Sequence, residues 1–446
     1  MTPMLFEDQV MPLSPRLLPV LLLLTAPAMA QDRRSMREPS LPTNVCTSLS
    51  PDGADWQAET GRLQAAIDHC PSGAAVRLVS GAGDGRFVSG PLHMKSGVTL
   101  WLDRGATLVA VPDPRAYDRG QGLCGTIADK GNACLPFISF EDTRGGGIMG
   151  DGAIDGSGGA VMTGHGESWW QLARRAQREG GKQNNPRLVE ADHARDLVFY
   201  RTTFRNAPNF HVVLNDVQGA TLWGVRIDTP ADARNTDGID PGASQDVTIA
   251  HSFIRTGDDD IAIKAGHGTT RYISILDDHL YAGHGLSIGS ETNAGVSDIL
   301  VRNVTLDGTT SGLRIKSDAS RGGLVTRVRY EGICLRGNRW PIDFDTRYDA
   351  DARGGAIPVY RDIVLTGVTG GDGTMVLRGH DAGHPLAVTL DSVRFDPAAV
   401  WQIENADITT GPGGVSPTPP GLRPSLALAG TTPDCTSSWM PFPSDR

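Results

Sequence analysis

The sequence predicts an all-β solenoid, a single-stranded parallel β-helix with a capping helix at its N-terminal end, and three observations predict it. Short apolar alternations, Val247-Thr248-Ile249, Ile273-Ser274-Ile275 and Ile299-Leu300-Val301, recur at a nearly fixed interval, which marks stacked repeats. With Leu222, Val247, Ile273 and Ile299 taken as equivalent, the steps are 25, 26 and 26 residues, too few for a helix pair with its loops and right for one β coil. Glycine, at 55 residues, suits the tight turns between coil faces, where positive φ is often required.

Taken in order, Leu17 to Leu24 is an apolar run followed by Ala28-Met29-Ala30, the pattern of a secretory leader cleaved after Ala30 and too short to span a bilayer. Glu7 and Asp8 put negative charge where a leader wants positive, so Met11, with Arg16 after it, is the expected initiator. Residues 31–446 read as one domain, because a repeat fold lengthens along one axis without needing a larger core. From about 409 to 446, Gly and Pro make the tail look irregular. Leu63, Ala66, Ile67 and Cys70 have amphipathic-helix spacing, so a helix over Thr60 to Cys70 is expected to cap the first coil, whose strand edges would otherwise be unpaired. Strands are expected at 76–79 and 98–102 and around Ile148 and Ile154. After a second helix over Ser168 to Gln177 they resume at Leu197-Val198-Phe199-Tyr200 and run to Val388-Thr389-Leu390 and Val393.

A formal charge of −10 argues against a nucleic-acid partner, since polyanion binders usually steer by a positive field. A negatively charged substrate stays open if cations cluster in a cleft. The six cysteines, Cys46, Cys70, Cys124, Cys134, Cys334 and Cys435, form an even set that an exported chain can oxidise. The close pairs Cys46–Cys70 and Cys124–Cys134 would pin the N-terminal part and leave Cys334–Cys435 to tie down the tail, although number alone leaves other connectivities open. None has a His or Cys neighbour at zinc-ligand spacing, and no metal is expected.

Four polar clusters interrupt the apolar repeat: Asn235-Thr236-Asp237-Gly238, Gly257-Asp258-Asp259-Asp260, Gly283-His284-Gly285 and Arg314-Ile315-Lys316. Asp237, Asp258, His284 and Arg314 are separated by 21, 26 and 30 residues. Each gap is roughly one coil, so the clusters fall on successive coils of one face and converge within about 15 Å. Crowded carboxylates cannot all ionise freely; one is pushed up to act as an acid while its neighbours stay bases, the division of labour that glycosidic hydrolysis needs. Taken singly, Asn-Thr-Asp-Gly reads equally well as a turn, and Asp-Asp-Asp as a solvated loop or calcium site; joint placement on adjacent coils favours a catalytic site. Strict strand alternation sends Asp258 and Asp260 to one face and Asp259 to the other, so Asp258 and Asp259 both serve the site only if the chain bends, which Gly257 permits. His284 is then a hydrogen-bonding or proton-relay group rather than a lone turn histidine. Arg314 and Lys316, two apart on a strand, share a face and can clamp a carboxylate, the plainer alternative being a solvated basic edge.

In their longer forms these motifs, Asn235-Thr236-Asp237-Gly238-Ile239-Asp240-Pro241, Thr256-Gly257-Asp258-Asp259, Gly283-His284-Gly285-Leu286-Ser287-Ile288-Gly289-Ser290-Glu291 and Gly312-Leu313-Arg314-Ile315-Lys316-Ser317, resemble the four signatures of the polygalacturonases, glycoside hydrolase family 28. The likeness runs from about Cys46 to Trp401-Gln402-Ile403 and is nearest to the bacterial endo-acting members. It implies a right-handed helix and hydrolysis of the α-1,4 bonds of polygalacturonate with inversion, by a secreted monomer without a cofactor. It implies Asp258 as general acid, Asp237 and Asp259 as the groups that activate water, His284 beside the acid, and Arg314, Lys316 and Asn235 as substrate-binding groups. Tyr348, in Asp345-Thr346-Arg347-Tyr348, is similar to the family's substrate-contacting tyrosine, a packed surface aromatic being the other reading. Asp260 departs from the pattern, since relatives often carry Cys or Asn there; its carboxylate either raises the acid's pKa further or points away. Inversion asks for acid and base about 6.5–9.5 Å apart, which one coil step between Asp237 and Asp258 plus side-chain divergence accommodates.

Two rival functions fit the same architecture. A pectate lyase would cut the polymer by β-elimination with calcium and a basic side chain; the acid–base carboxylates and the absence of a dispersed acidic calcium set favour hydrolysis. A catalytically silent carbohydrate-binding β-helix would have no need of Asp237, Asp258, Asp259 and His284 together. An exo-acting enzyme needs only a loop closing one end of the cleft, so internal cleavage rests on likeness.

Overall fold

The computed structural model describes residues 31–131, 133–422 and 432–444; the expected leader at 1–30 and the start at Met11 lie outside the described residues. The chain winds as a right-handed parallel β-helix. Each central coil lays down three strands, one per face. In one coil these are Ile239–Gly242, Gln245–Ala250 and Phe253–Thr256, and Ile261–Ile263 then begins the next coil beside Ile239–Gly242. The first of these faces is a parallel sheet of eleven strands, from Leu92–His93 to Val400–Glu404.

Alternation along each strand sends every second side chain inward, and the parallel register stacks like on like. Leu197, Ala220, Val247, Ile273, Ile299 and Val328 form one such column, all fully buried. Each large aliphatic there contributes about 1.5–3 kcal/mol. The expected equivalence of Leu222 with Val247 is two residues out, because Leu222 pairs with Ile249 and Val247 with Ala220. A slip of two keeps the inward face inward, so apolar pattern alone does not reject it.

Corners need the left-handed conformation at a fixed point of each coil. Arg201, Gly224, His251, Asp277, Asn303, Gly332, Gly367 and Ser392, one residue past successive paired strand positions, all have φ between 54° and 66°. Only three of the eight are glycine, so stacking holds costly backbone in other residue types as well.

The capping helix spans Trp56–His69, four residues earlier than expected at its start, because the Asp55 carboxylate accepts the Ala58 amide at 2.9 Å and nucleates the first turn. Cys70 lies just past its end, and Leu63 and Ile67 are buried against the first coil. The second helix is Trp169–Glu179, with a Ser168/Gln171 capping box and a left-handed Gly180 at its close. The disulfides pair Cys46 with Cys70, Cys124 with Cys134 and Cys334 with Cys435, the combination expected from the sequence. Coils continue into the stretch expected to be irregular, where Ala406–Thr410 and Val415–Ser416 both pair with Leu386–Arg394. Beyond them, residues 432–444 run back along the outside, with Tyr281 donating to the Met440 carbonyl at 2.7 Å and Arg255 stacked 4.2 Å from the Phe442 ring centre. Among the described residues no helix is long and apolar enough to cross a membrane.

Candidate active site

The eleven-stranded face carries a cleft of about 700 Å³. Its floor follows from register. Ile239, Ile261, Leu286 and Leu313 pair in turn, so the residues two places before the first three, Asp237, Asp259 and His284, stack on consecutive coils. Arg314 and Lys316 sit on the next, in the strand Ser311–Lys316. All eight residues expected at the site line the cleft: Asn235, Asp237, Asp258, Asp259, His284, Arg314, Lys316 and Tyr348.

Asp258 and Asp259 both reach it because residues 257–260 are a corner, not a strand. Gly257 allows that corner: a Cβ there would stand 2.1 Å from the Ala233 carbonyl oxygen. Asp260 is instead turned into the wall, fully buried, with Oδ1 accepting from the Thr256 hydroxyl at 3.0 Å. Burial pushes its carboxyl well up, and Asp260 is not among the residues that line the cleft.

The carboxylates are differently furnished. Asp258 Oδ1 meets His284 Nδ1 at 3.0 Å and accepts the Asp259 amide, and Asn235 Nδ2 donates to Oδ2 at 3.4 Å. Asp259 accepts from the Ser287 hydroxyl at 2.8 Å and from Lys316 Nζ at 2.7 Å, with an Arg314 guanidinium nitrogen 3.8 Å away. Asp237 accepts from Lys264 Nζ at 3.1 Å, and the same ammonium donates to Asp240 at 2.6 Å. Asp237 Oδ1 is buried and has no hydrogen-bond partner among the described residues. Its backbone carbonyl is held by the amide and the Nδ1 of His211, whose other ring nitrogen lies 2.6 Å from the Thr229 hydroxyl. Burial lowers His211 to about 4, so it is a neutral strut.

These surroundings split the pKa values in a direction that crowding alone does not give. Burial pushes Asp237 well up, and its acidic neighbours add to this against the opposing Lys264 charge. Asp240 is pushed up to about 6, again by burial, with Lys264 opposing. At Asp258 burial also acts upward, but the His284 hydrogen bond and the positive charges of His284, Lys316 and Lys264 outweigh it and hold the carboxyl below the usual range. Between the two, Asp237 is the carboxyl pushed up and Asp258 the one held down.

Asn235 faces Asp258, and its own carbonyl accepts from Gln183 at 2.9 Å and Arg234 at 2.5 Å. Tyr348 is 44 % exposed on the rim, its ring centre 5.1 Å from the Arg314 guanidinium and 5.5 Å from Lys316 Nζ. Arg314 is also 3.2 Å from Asp343. Ligand atoms of Asp258, Asp259 and His284 lie within 4.8 Å of one another, an arrangement with room for a cation, although Lys316 already neutralises Asp259 there.

Lys264 and Asp240 were not singled out from the sequence. A signal existed: Ile261-Ala262-Ile263-Lys264 is aligned by register with Leu313-Arg314-Ile315-Lys316, so both lysines occupy one column. Residues 75–415 match the model of the glycosyl hydrolases family 28. The chain is 42 % identical over 389 residues to an endo-polygalacturonase of Pectobacterium parmentieri, covering 86 % of this chain and 95 % of that one. It is 42 % identical over 422 residues to a polygalacturonase of Ralstonia solanacearum, covering 80 % of each. Its backbone overlays the solved polygalacturonase from Erwinia carotovora ssp. carotovora with a TM-score of 0.82 at 42 % identity, covering 85 % of this chain and all of that one. The motifs, the winding and the stacked acids agree with these likenesses, and the chain belongs to glycosyl hydrolases family 28.

Proposed function

We propose that the chain is an endo-polygalacturonase that cleaves internal α-1,4-D-galacturonosidic bonds with inversion. The observation that carries this reading is the column Asp237, Asp259 and His284 with Asp258 turned into the same cleft and Arg314 and Lys316 at its side. Asp258 protonates the glycosidic oxygen as the bond to the anomeric carbon breaks. Water held between Asp237 and Asp259 adds to that carbon from the other side and gives its one proton to one of these two carboxylates, which must be ionised to accept it. His284 and Asp258 hold the acid's proton between them. A sugar laid over the pair removes water, which disfavours the separated charges, and the proton moves onto Asp258. Arg314 and Lys316 bind a substrate carboxylate, and Tyr348 and Asn235 border the sugar, Asn235 acting mainly by orienting Asp258.

Secretion and a monomeric state belong to the same proposal, supported by the leader-like N-terminal sequence and by three disulfides, which suit an oxidising compartment. The test is incubation with polygalacturonate. Viscosity should collapse before many reducing ends appear, the new ends should form first as the β-anomer by proton NMR, and no unsaturated, ultraviolet-absorbing product should form. An unsaturated product, or monomer from the outset, overturns the proposal.

A further inference from the structure

The floor of the cleft continues past Asp237. Val189, Val212 and Ile239 pair in turn, so Arg187, Phe210 and Asp237 share one register position, and Arg187 lies two coil steps, about 10 Å, beyond the catalytic column. A second hollow of about 480 Å³ opens there, with Arg119, Asn185, Arg187 and Glu190 in its lining. One wall includes Arg119, Gln121, Gly131, Ala133 and Cys134, held by the Cys124–Cys134 disulfide and by the Ala133 amide, which donates to Asn184 Oδ1 at 3.0 Å. Arg119 Nε donates to the Cys134 carbonyl at 3.1 Å, which aims the side chain along that wall. Arg187 bonds Glu190 at 2.5 Å and keeps a third of its side chain exposed. Glu190 is the sole carboxylate among the lining residues, and although Arg187 also feels the buried Asp240, Arg119 Nε donates to a carbonyl and not to a carboxylate, which leaves its positive charge to a ligand.

We propose that Arg187 and Arg119 form a distal subsite that binds the carboxylate of a uronate unit lying beyond the one bound at the catalytic column. The proposal rests on the polygalacturonate reading of the main cleft. A planar guanidinium matches a carboxylate in bidentate fashion, and Arg187 in the hollow's lining shares the register position of Asp237. Glu190, also held by Asn215 Nδ2 at 3.1 Å, fixes Arg187 without neutralising the whole hollow.

Initial rates on the galacturonate trimer and hexamer, for the parent and for Arg187→Ala, Arg119→Ala and Arg187→Lys, test this. The ratio of hexamer to trimer kcat/KM should fall about tenfold in either alanine variant, the size of one ordinary charged contact, with a smaller fall in Arg187→Lys. On hexamer methyl-esterified only at the distal unit, with the carboxylate at the catalytic column left free, that dependence should vanish. Equal losses on trimer and hexamer would mean that Arg187 acts through the catalytic acids or the fold, and would overturn the subsite, as would an unchanged ratio or a dependence that survives esterification. If the parent enzyme cleaved neither oligomer, the polygalacturonate reading itself would fall instead.

Discussion

Two outward faces of the same coils put stacked charges to different uses. On the face holding Arg226–Asp228, Phe253–Thr256 and Thr305–Asp307, each acid meets an arginine from the next coil: Asp228 binds Arg255 at 2.8 Å, and Asp307 binds Arg336 at 2.5 Å. These arginines are 43 % and 50 % exposed. On the cleft face the same axial stacking sets Asp237, Asp240, Asp258 and Asp259 against Lys264, Lys316 and His284, and the Asp237, Asp240 and Asp259 side chains are at most 5 % exposed. Geometry is common to both faces. What differs is charge stoichiometry and water, and on the crowded, dry face burial and a shared cation move several neighbouring carboxyls away from their ordinary pKa together.

Breaking the crowded face should cost most. Asp258→Asn keeps the shape and the contact with His284 but cannot release a proton, so kcat should fall by about 10²–10⁴-fold while the thermal melting curve stays near that of the parent. Lys264→Met should come next. It removes the cation that Asp237 and Asp240 share, so Asp237, already pushed up by burial, rises further; a base must be ionised to work, and the acidic limb of the kcat/KM profile should therefore move to higher pH. A loss of rate with no movement of that limb would reduce Lys264 to packing. The smallest effect belongs to the other face. Arg255→Ala should leave the rate on polygalacturonate within about twofold and cost no more than about 1 kcal/mol in chemical denaturation, as exposed pairs do.

The same contrast explains what was legible in the sequence. The period, the capping helix and the second helix, the disulfide pairs and the shared cleft of Asp237, Asp258, Asp259, His284, Arg314 and Lys316 follow from spacing and motif, because in a parallel coil sequence period becomes spatial neighbourhood. Register to the residue does not follow, and Leu222 shows why: alternation is indifferent to a slip of two. Nor does the fate of consecutive acids at a corner, where Asp258 and Asp259 enter the cleft and Asp260 turns inward to Thr256; backbone direction decides that, and three identical side chains carry no hint of it. Lys264 was hidden because a lysine just past a short strand looks like any solvated side chain until its column is counted. Which carboxyl is pushed up is hidden for a related reason, since crowding among acids is visible in composition whereas the particular cation each acid meets is not.

Because the floor advances by one coil at a time, a family member cannot lengthen its grip on a polymer by small degrees. Duplicating or deleting a coil of some two dozen residues shifts the groove's extent by one inter-strand spacing, about 4.8 Å, and moves every outer contact beyond it as a block. The catalytic column stays untouched in such an exchange, so reach and chemistry are separately heritable in this architecture.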